Sequence, residues 1–264
     1  MQNRITQLFS HKSKDILNIY FTAGYPNKDD TETIIRELAD AGVDMIEIGI
    51  PFSDPVADGP TIQHSSQLAL NNGMTLALLF EQLAHIRSYT DIPLLLMSYL
   101  NPVMQYGIEA FCKKAAEVGI DGLILPDLPM FEFEQNYRKL FDRNHLSHIF
   151  LISPQTSEDR IQKIDQASTG FIYAVSTDST TGRSEDLTKT QEEYFNRIKG
   201  MNLQNPFLIG FGISDAKSFQ KATTYAHGAI IGSAFIKSLG KTGSLKAIIH
   251  QFVRNIRGEQ PVSN

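Results

Sequence analysis

The chain has 264 residues, 42% hydrophobic and 20% charged, with a net charge of −5 and a pI near 5.8. That length supports a full core in one large domain, and the acidic balance gives no footprint for DNA, RNA or an anionic membrane. Cys112 is the single cysteine, which excludes an internal disulfide and fits a reducing cytoplasm. No apolar run approaches the roughly 20 residues of a membrane span, and no apolar signal segment follows Met1-Gln2-Asn3-Arg4.

In chain order, Arg4–Ser10 reads as a helix before the first strand. Eight short apolar runs then read as strands: Asn18–Ala23, Met45–Ile50, Pro93–Tyr99, Gly122–Leu125, Ile149–Ser153, Phe171–Val175, Phe207–Gly210 and Ala229–Gly232. Most are continuously apolar, the pattern of strands buried on both faces of a parallel sheet. Between them lie helical periodicities over Thr31–Ala41, Leu76–Ser88, Phe111–Val118, Phe131–Asn144, Glu158–Ala167, Glu192–Ile198, Asp215–Thr223 and Leu245–Arg257. Eight strand–helix pairs in series predict an α/β fold, a (β/α)8 TIM barrel with an extra N-terminal helix, as one domain over residues 1–264. The alternative is a doubly wound open sheet, which would more often carry a Gly-rich dinucleotide turn after its first strand; Thr22-Ala23-Gly24-Tyr25-Pro26 is not one. The polar stretch Ser176–Lys189 is long for a connector and reads as a lid or a disordered loop.

In a barrel the reaction occurs at the C-terminal ends of the strands, so the residues there limit the chemistry. None of the eight runs contains Lys, which disfavours a Schiff base. His145 and His148 are the closest histidines in sequence and are placed before strand five, at the wrong end for a metal site. Glu47 is the only charged side chain inside the runs, and an unpaired carboxylate in an apolar interior costs several kcal/mol, roughly. The structural alternative is a buried ion pair, but no strand offers it a Lys or Arg. Asp58 follows in the stiff segment 51–60; it is a second acid–base candidate or a helix cap, since Asp58-Gly59-Pro60 precedes a helical run. Asp127 could reach the site or cap the next turn. Cys112 reads as packing on a helix, and Phe111, Phe131, Phe133 and Phe141 as core or rim. Gly-rich turns at Gly210–Ser214 and Gly232-Ser233-Ala234, after strands seven and eight, match a phosphate cradle built from backbone N–H groups; tight turns needing Gly for geometry alone are the alternative.

Ile46 through Gln63, Met97-Ser98-Tyr99-Leu100-Asn101-Pro102, Asp121 through Pro129, Gly210-Phe211-Gly212-Ile213-Ser214 and Ile231-Gly232-Ser233-Ala234 together resemble the tryptophan synthase α chain family, in order and over nearly the whole chain. The resemblance implies a cofactor-free and metal-free lyase that splits indole-3-glycerol phosphate into indole and glyceraldehyde 3-phosphate. It also implies an α2β2 complex in which a β chain holding pyridoxal phosphate joins indole to serine. Carried over residue by residue, it makes Glu47 the acid–base at indole C3 and Asp58 the acceptor for the indole N–H. It places Tyr173 near Glu47 and Thr181 against Asp58. Gly182, Gly212, Gly232 and Ser233 would hold the phosphate, and Tyr20, Met97, Ile124 and Phe211 would pack around the indole. The loop Phe52–Asp58 and the loop after strand six would face the partner. One segment departs from the family: Thr177 stands where an Arg is usual and Ser179 where a Gly is usual, with Arg183 a substitute for the lost cation. A stand-alone lyase, another phosphate-binding barrel such as a sugar-phosphate isomerase, and a regulatory subunit without activity are the competing readings.

Overall fold

The computed structural model describes residues 3–176, 188–210 and 212–259. The strands are β1 (Ile16–Thr22), β2 (Met45–Gly49), β3 (Leu94–Met97), β4 (Gly122–Ile124), β5, β6 (Ile172–Val175), β7 (Phe207–Gly210) and β8 (Gly228–Ile231). Strand β5 comes as two pieces, Ser147–His148 and Phe150–Ile152, on either side of Ile149. The first piece pairs with β4 and the second with β6, while the Ile149 N–H still donates to Leu123 O at 3.0 Å. The pieces are therefore halves of one strand, and the sheet closes into an eight-stranded parallel barrel, with β1 joining β2 on one side and β8 on the other. A bend at β5 lets one strand serve two neighbours whose directions diverge as the sheet curls.

Alternate residues on each strand point inward. The barrel interior holds Ile16, Met45, Leu95, Ile124, Ile149, Phe171, Leu208 and Ile230, and Ile5 of the first helix joins them. That helix, α1 (Arg4–His11), caps the N-terminal end of the barrel with Leu8 and Phe9 also against the interior. A larger apolar layer lies between the outer strand faces and the helices. The two layers explain why β1 is buried at every position and could not show a two-residue alternation in its sequence.

Several expectations hold closely. The helices Glu158–Ala167 and Leu245–Arg257 and the strand Phe207–Gly210 occur as predicted, and the first helix runs one residue further, to His11. Others shift. The helical pattern over 76–88 breaks into Leu76–Leu83 and a short turn at Ile86–Ser88. The pattern over 131–144 becomes Met130–Glu132, a wider-wound segment Phe133–Tyr137 and Arg138–Arg143. Helices Leu100–Tyr106 and Ser233–Leu239 were not marked as helices in the sequence, because a helix of two turns is too short to display a period. His148 lies within β5 and not before it; buried among Phe133, Phe141 and Phe150, its imidazole is pushed down to about 4 by burial and stays neutral. Of the four phenylalanines, Phe111, Phe133 and Phe141 are core, but Phe131 is exposed. Cys112 is fully buried, as packing requires.

Candidate active site

Glu47 stands in the middle of β2, between inward Met45 and Gly49, and is fully buried. Its register partner on β1 is Tyr20, and the next inward residue toward the floor of β1 is Asn18. Asn18 is also fully buried, and its Nδ2 donates to Glu47 Oε1 at 2.6 Å. Glu47 Oε2 and Asn18 Oδ1 have no hydrogen-bond partner among the described residues. Among the described residues no cation meets the carboxyl, so the buried ion pair weighed from the sequence does not form there; the partner is an amide. Burial pushes the Glu47 carboxyl from its ordinary 4.5 up to about 8, with the Asn18 hydrogen bond pulling the other way. At neutral pH this side chain is mostly a neutral acid.

Asp58 comes from the loop after β2, just ahead of the helix Pro60–Asn71. It does not cap that helix: the cap residue is Gly59, with no side-chain cap bond. Its Oδ2 accepts from the Tyr99 hydroxyl at 3.2 Å, while the same hydroxyl accepts from Ala57 N at 2.8 Å. Tyr99 thus ties the loop after β2 to the end of β3. Burial raises the Asp58 carboxyl from 3.8 to about 6, opposed by the Tyr99 bond. The two carboxyls are split: near pH 7 Asp58 is mostly charged and Glu47 mostly not. Such a split suits one group to proton donation and the other to charge stabilisation.

A small cleft at Asp58 is lined by Tyr20, Ile50, Phe52, Pro55, Ser66, Met97, Ser98, Tyr99 and Pro126. Phe52 packs on Tyr99 with ring centres 5.3 Å apart. Tyr20 and Tyr173 both lie within the electrostatic reach of Glu47 and Asp58, and burial first, then those carboxylates, holds both phenols neutral. Two glycines make room for these rings. A Cβ at Gly49 would run into the Tyr20 ring, and one at Gly210 into the Tyr173 ring. The result is a mixed aromatic and polar end of the barrel, with the acid fully buried behind the Tyr20 ring and a carboxylate in the cleft wall.

At the same end of the barrel, Gly232 precedes the helix Ser233–Leu239, and Ser233 is exposed at its first turn. Gly212 has φ +28° with open space where a side chain would be. The first N–H groups of a helix lack intrahelical partners and favour an anion. The sequence-predicted residues Glu47, Asp58, Tyr20, Met97, Tyr173, Gly212, Gly232 and Ser233 all lie at the C-terminal end of the barrel or on its inward face. Ile124 is deeper, fully buried in the barrel interior at the register of Met97. Thr181, Gly182, Phe211 and Arg183, together with Thr177 and Ser179 of the departing loop, lie outside the described residues. Asp127 takes a structural role, accepting from Leu100 N at 2.9 and 3.0 Å and so capping the helix after β3, one connection away from its expected turn. The reading of the sequence missed Asn18, Phe52 and Tyr99 as site residues. For Asn18 a signal existed: it is the one amide in the apolar run of β1, two residues before Tyr20. Among the described residues no group of three or more His, Cys, Asp or Glu is placed to hold a metal ion.

The comparisons agree with one another. A family model described as tryptophan synthase alpha chain matches residues 7–260. The tryptophan synthase alpha chain of Flavobacterium johnsoniae is 57% identical over 255 residues, 97% of this chain and 100% of the relative. That of Bacteroides fragilis strain YCH46 is 48% identical over 262 residues, again 97% and 100%. Among solved structures, the tryptophan synthase alpha chain from Legionella pneumophila subsp. pneumophila superposes with a TM-score of 0.87 at 29% identity, covering 98% of this chain and 97% of that one. The aminoacrylate-bound tryptophan synthase of M. tuberculosis gives 0.85 at 27%, covering 98% and 100%. A parallel barrel with a split pair of carboxyls at its mouth, matched end to end by these relatives, places the chain in the tryptophan synthase alpha chain family.

Proposed function

We infer that this chain cleaves indole-3-glycerol phosphate to indole and glyceraldehyde 3-phosphate and that it does so as the α subunit beside a β chain that consumes the indole. The observation that carries the reading is Glu47, a carboxyl kept protonated by full burial on β2, at the register of Tyr20. The indole ring must be protonated at C3 before its bond to the glycerol carbon can break. Glu47 supplies that proton: its O–H bond breaks as C3–H forms. Positive charge then develops on the ring nitrogen, and Asp58, ionised at the rim, accepts the N–H and stabilises it. The Glu47 carboxylate takes the proton from the glycerol hydroxyl on the carbon bonded to C3. The C–C bond breaks, its electrons restore the indole, the hydroxyl carbon becomes the aldehyde, and Glu47 is left protonated as it began. Proton count and charge close without a cofactor.

Tyr20 and Met97 supply the walls for the ring, with Ile124 and Tyr173 beneath and beside it and Phe211 assigned by the resemblance. The N–H groups at Gly212, Gly232 and Ser233 serve the phosphate, and the resemblance assigns Gly182 to the phosphate and Thr181 to Asp58. We assign residues 1–264 to one barrel domain. A cytoplasmic location fits a single, buried cysteine, and no described helix is long and apolar enough to cross a membrane.

Three exposed apolar side chains support a protein partner at this end of the barrel. Val56 is 87% exposed, Met104 58% and Phe131 62%, and they come from the connections after β2, β3 and β4 in turn. Adjacent strands place these three connections side by side around the mouth. Purified chain incubated with indole-3-glycerol phosphate should release indole slowly alone and much faster with its β chain. Met104→Glu with Phe131→Glu should diminish the stimulation and spare the basal rate. No release under either condition would refute the activity; fast release indifferent to the β chain would mark a stand-alone lyase.

A further inference from the structure

Asn18 is buried without exposure in a strand otherwise composed of Ile16, Leu17, Ile19, Tyr20, Phe21 and Thr22, and Thr22 meets the Ser65 hydroxyl at 2.7 Å. An amide at such a position loses its water and must be satisfied or it destabilises the fold. Its one hydrogen bond is to Glu47 Oε1. The other carboxyl oxygen, Oε2, has no donor or acceptor among the described residues. The two oxygens of the acid are therefore unequal, and Asn18 makes them so.

We propose that Asn18 is a positioning residue for the acid–base: by holding Glu47 Oε1 it leaves Oε2 as the oxygen that carries the transferred proton. An N–H donor on Oε1 makes that oxygen the better seat for negative charge and the poorer seat for a proton. The proton sits on Oε2, where no described residue offers it a partner and the substrate does. As the Oε2–H bond breaks and the C3–H bond forms, the charge that appears on the carboxylate falls on the oxygen already facing Nδ2–H, and the bond strengthens in the step that needs it. The 2.6 Å separation, short for N–H···O, also suits an amide turned over so that Oδ1 accepts from a protonated Oε1. That turned arrangement would seat the proton on Oε1, and it is the alternative the experiment must separate. Among the described residues, the other titratable groups near Glu47 are Tyr20 on β1, Tyr173 on β6 and Asp58 on the loop after β2; both phenols are raised and neutral, and of the three only Asp58 is charged.

The inference rests on Glu47 being the acid–base, so the experiment tests that separately. The pH dependence of kcat/KM for indole release would be measured for the wild-type complex, Glu47→Gln, Asn18→Leu and the smaller Asn18→Ala, each checked for folding by thermal unfolding. Loss of the donor removes a hydrogen bond from the charged form, so the alkaline limb should move upward by about one to two pH units. The plateau of kcat should fall about tenfold with KM little changed. The carboxylic-acid stretch of Glu47 in infrared difference spectra should titrate with the same upward shift. A limb that stays in place in both folded variants, or moves downward as loss of a turned acceptor would require, overturns the proposal. If Glu47→Gln keeps both its activity and its alkaline limb, the acid–base assignment itself fails, whatever Asn18 does.

Discussion

Replacing Glu47 by Gln separates the acid from its shape, and stability registers the difference before any substrate is added. The wild-type carboxyl ionises near its ordinary 4.5 in the unfolded chain and at about 8 in the folded one, because burial penalises the charge. Below 4.5 both states hold the proton and nothing is lost. Between 4.5 and 8 the unfolded chain releases its proton while the folded protein keeps it, so stability falls as pH rises. Above 8 the folded protein carries a buried charge and the full penalty is in place. At about 1.4 kcal/mol per pH unit the total is roughly 3–5 kcal/mol. Gln has no proton to lose, keeps a carbonyl oxygen for Asn18 Nδ2, and shows none of this slope. Urea unfolding of the two proteins from pH 5 to 9 should give curves that separate steadily, the variant gaining on the wild type toward alkaline pH. Asp58 also titrates here, but its shift arises from burial, opposed by the Tyr99 bond, so it is common to both proteins and cancels in the difference. Parallel curves across that range would mean Glu47 is already ionised in the folded state, and the proton-donor argument would fail with it. The same variant should lose about 10²–10⁴ in turnover.

Tyr99→Phe removes the hydroxyl that holds Asp58 Oδ2 at 3.2 Å, so the Asp58 carboxyl should rise further and the acidic limb of the activity profile should move upward by about one pH unit; an unmoved limb would detach Asp58 from that limb. Ser233→Ala should raise KM for the phosphorylated substrate about ten- to hundredfold with a smaller effect on kcat, read by steady-state kinetics; an unchanged KM would place the phosphate elsewhere. Ile5→Ala removes a fully buried side chain from the barrel floor and should cost about 2–4 kcal/mol in urea unfolding while sparing KM.

The barrel was legible because its strands are buried on both faces, so each appears as an unbroken apolar run, and because Gly ends several helices. Glu47 stood out for the same reason: a charge is conspicuous only where everything around it is apolar. Asn18 did not stand out because an amide carries no charge and a single one in a strand is unremarkable until its partner across β1 and β2 is known. Tyr99 was read as the end of an apolar run, since a phenol's ring disguises its hydroxyl. Asp58 left a choice between cap and catalyst that local sequence could not make, because Asp-Gly-Pro suits both; the structure shows Gly59 at the cap and Tyr99 on the carboxylate. Asp127 erred in the other direction, capping a helix from the preceding connection, a relation that exists only once β3 and β4 are side by side.

The first helix is fastened by groups far along the chain. Asn3 Nδ2 donates to Asp121 O at 3.1 Å and to Ser147 Oγ at 2.9 Å, and Arg4 pairs with Asp121 at 3.2 Å. These partners lie more than a hundred residues downstream of the helix they hold. On a ribosome, this helix would emerge well ahead of its anchors and carry Ile5, Leu8 and Phe9 unburied until Ser147 has been made. A segment made before the strands it covers must wait for them to find its seat, and an emerging chain arrested before Ser147 would display an apolar helix for chaperones to bind.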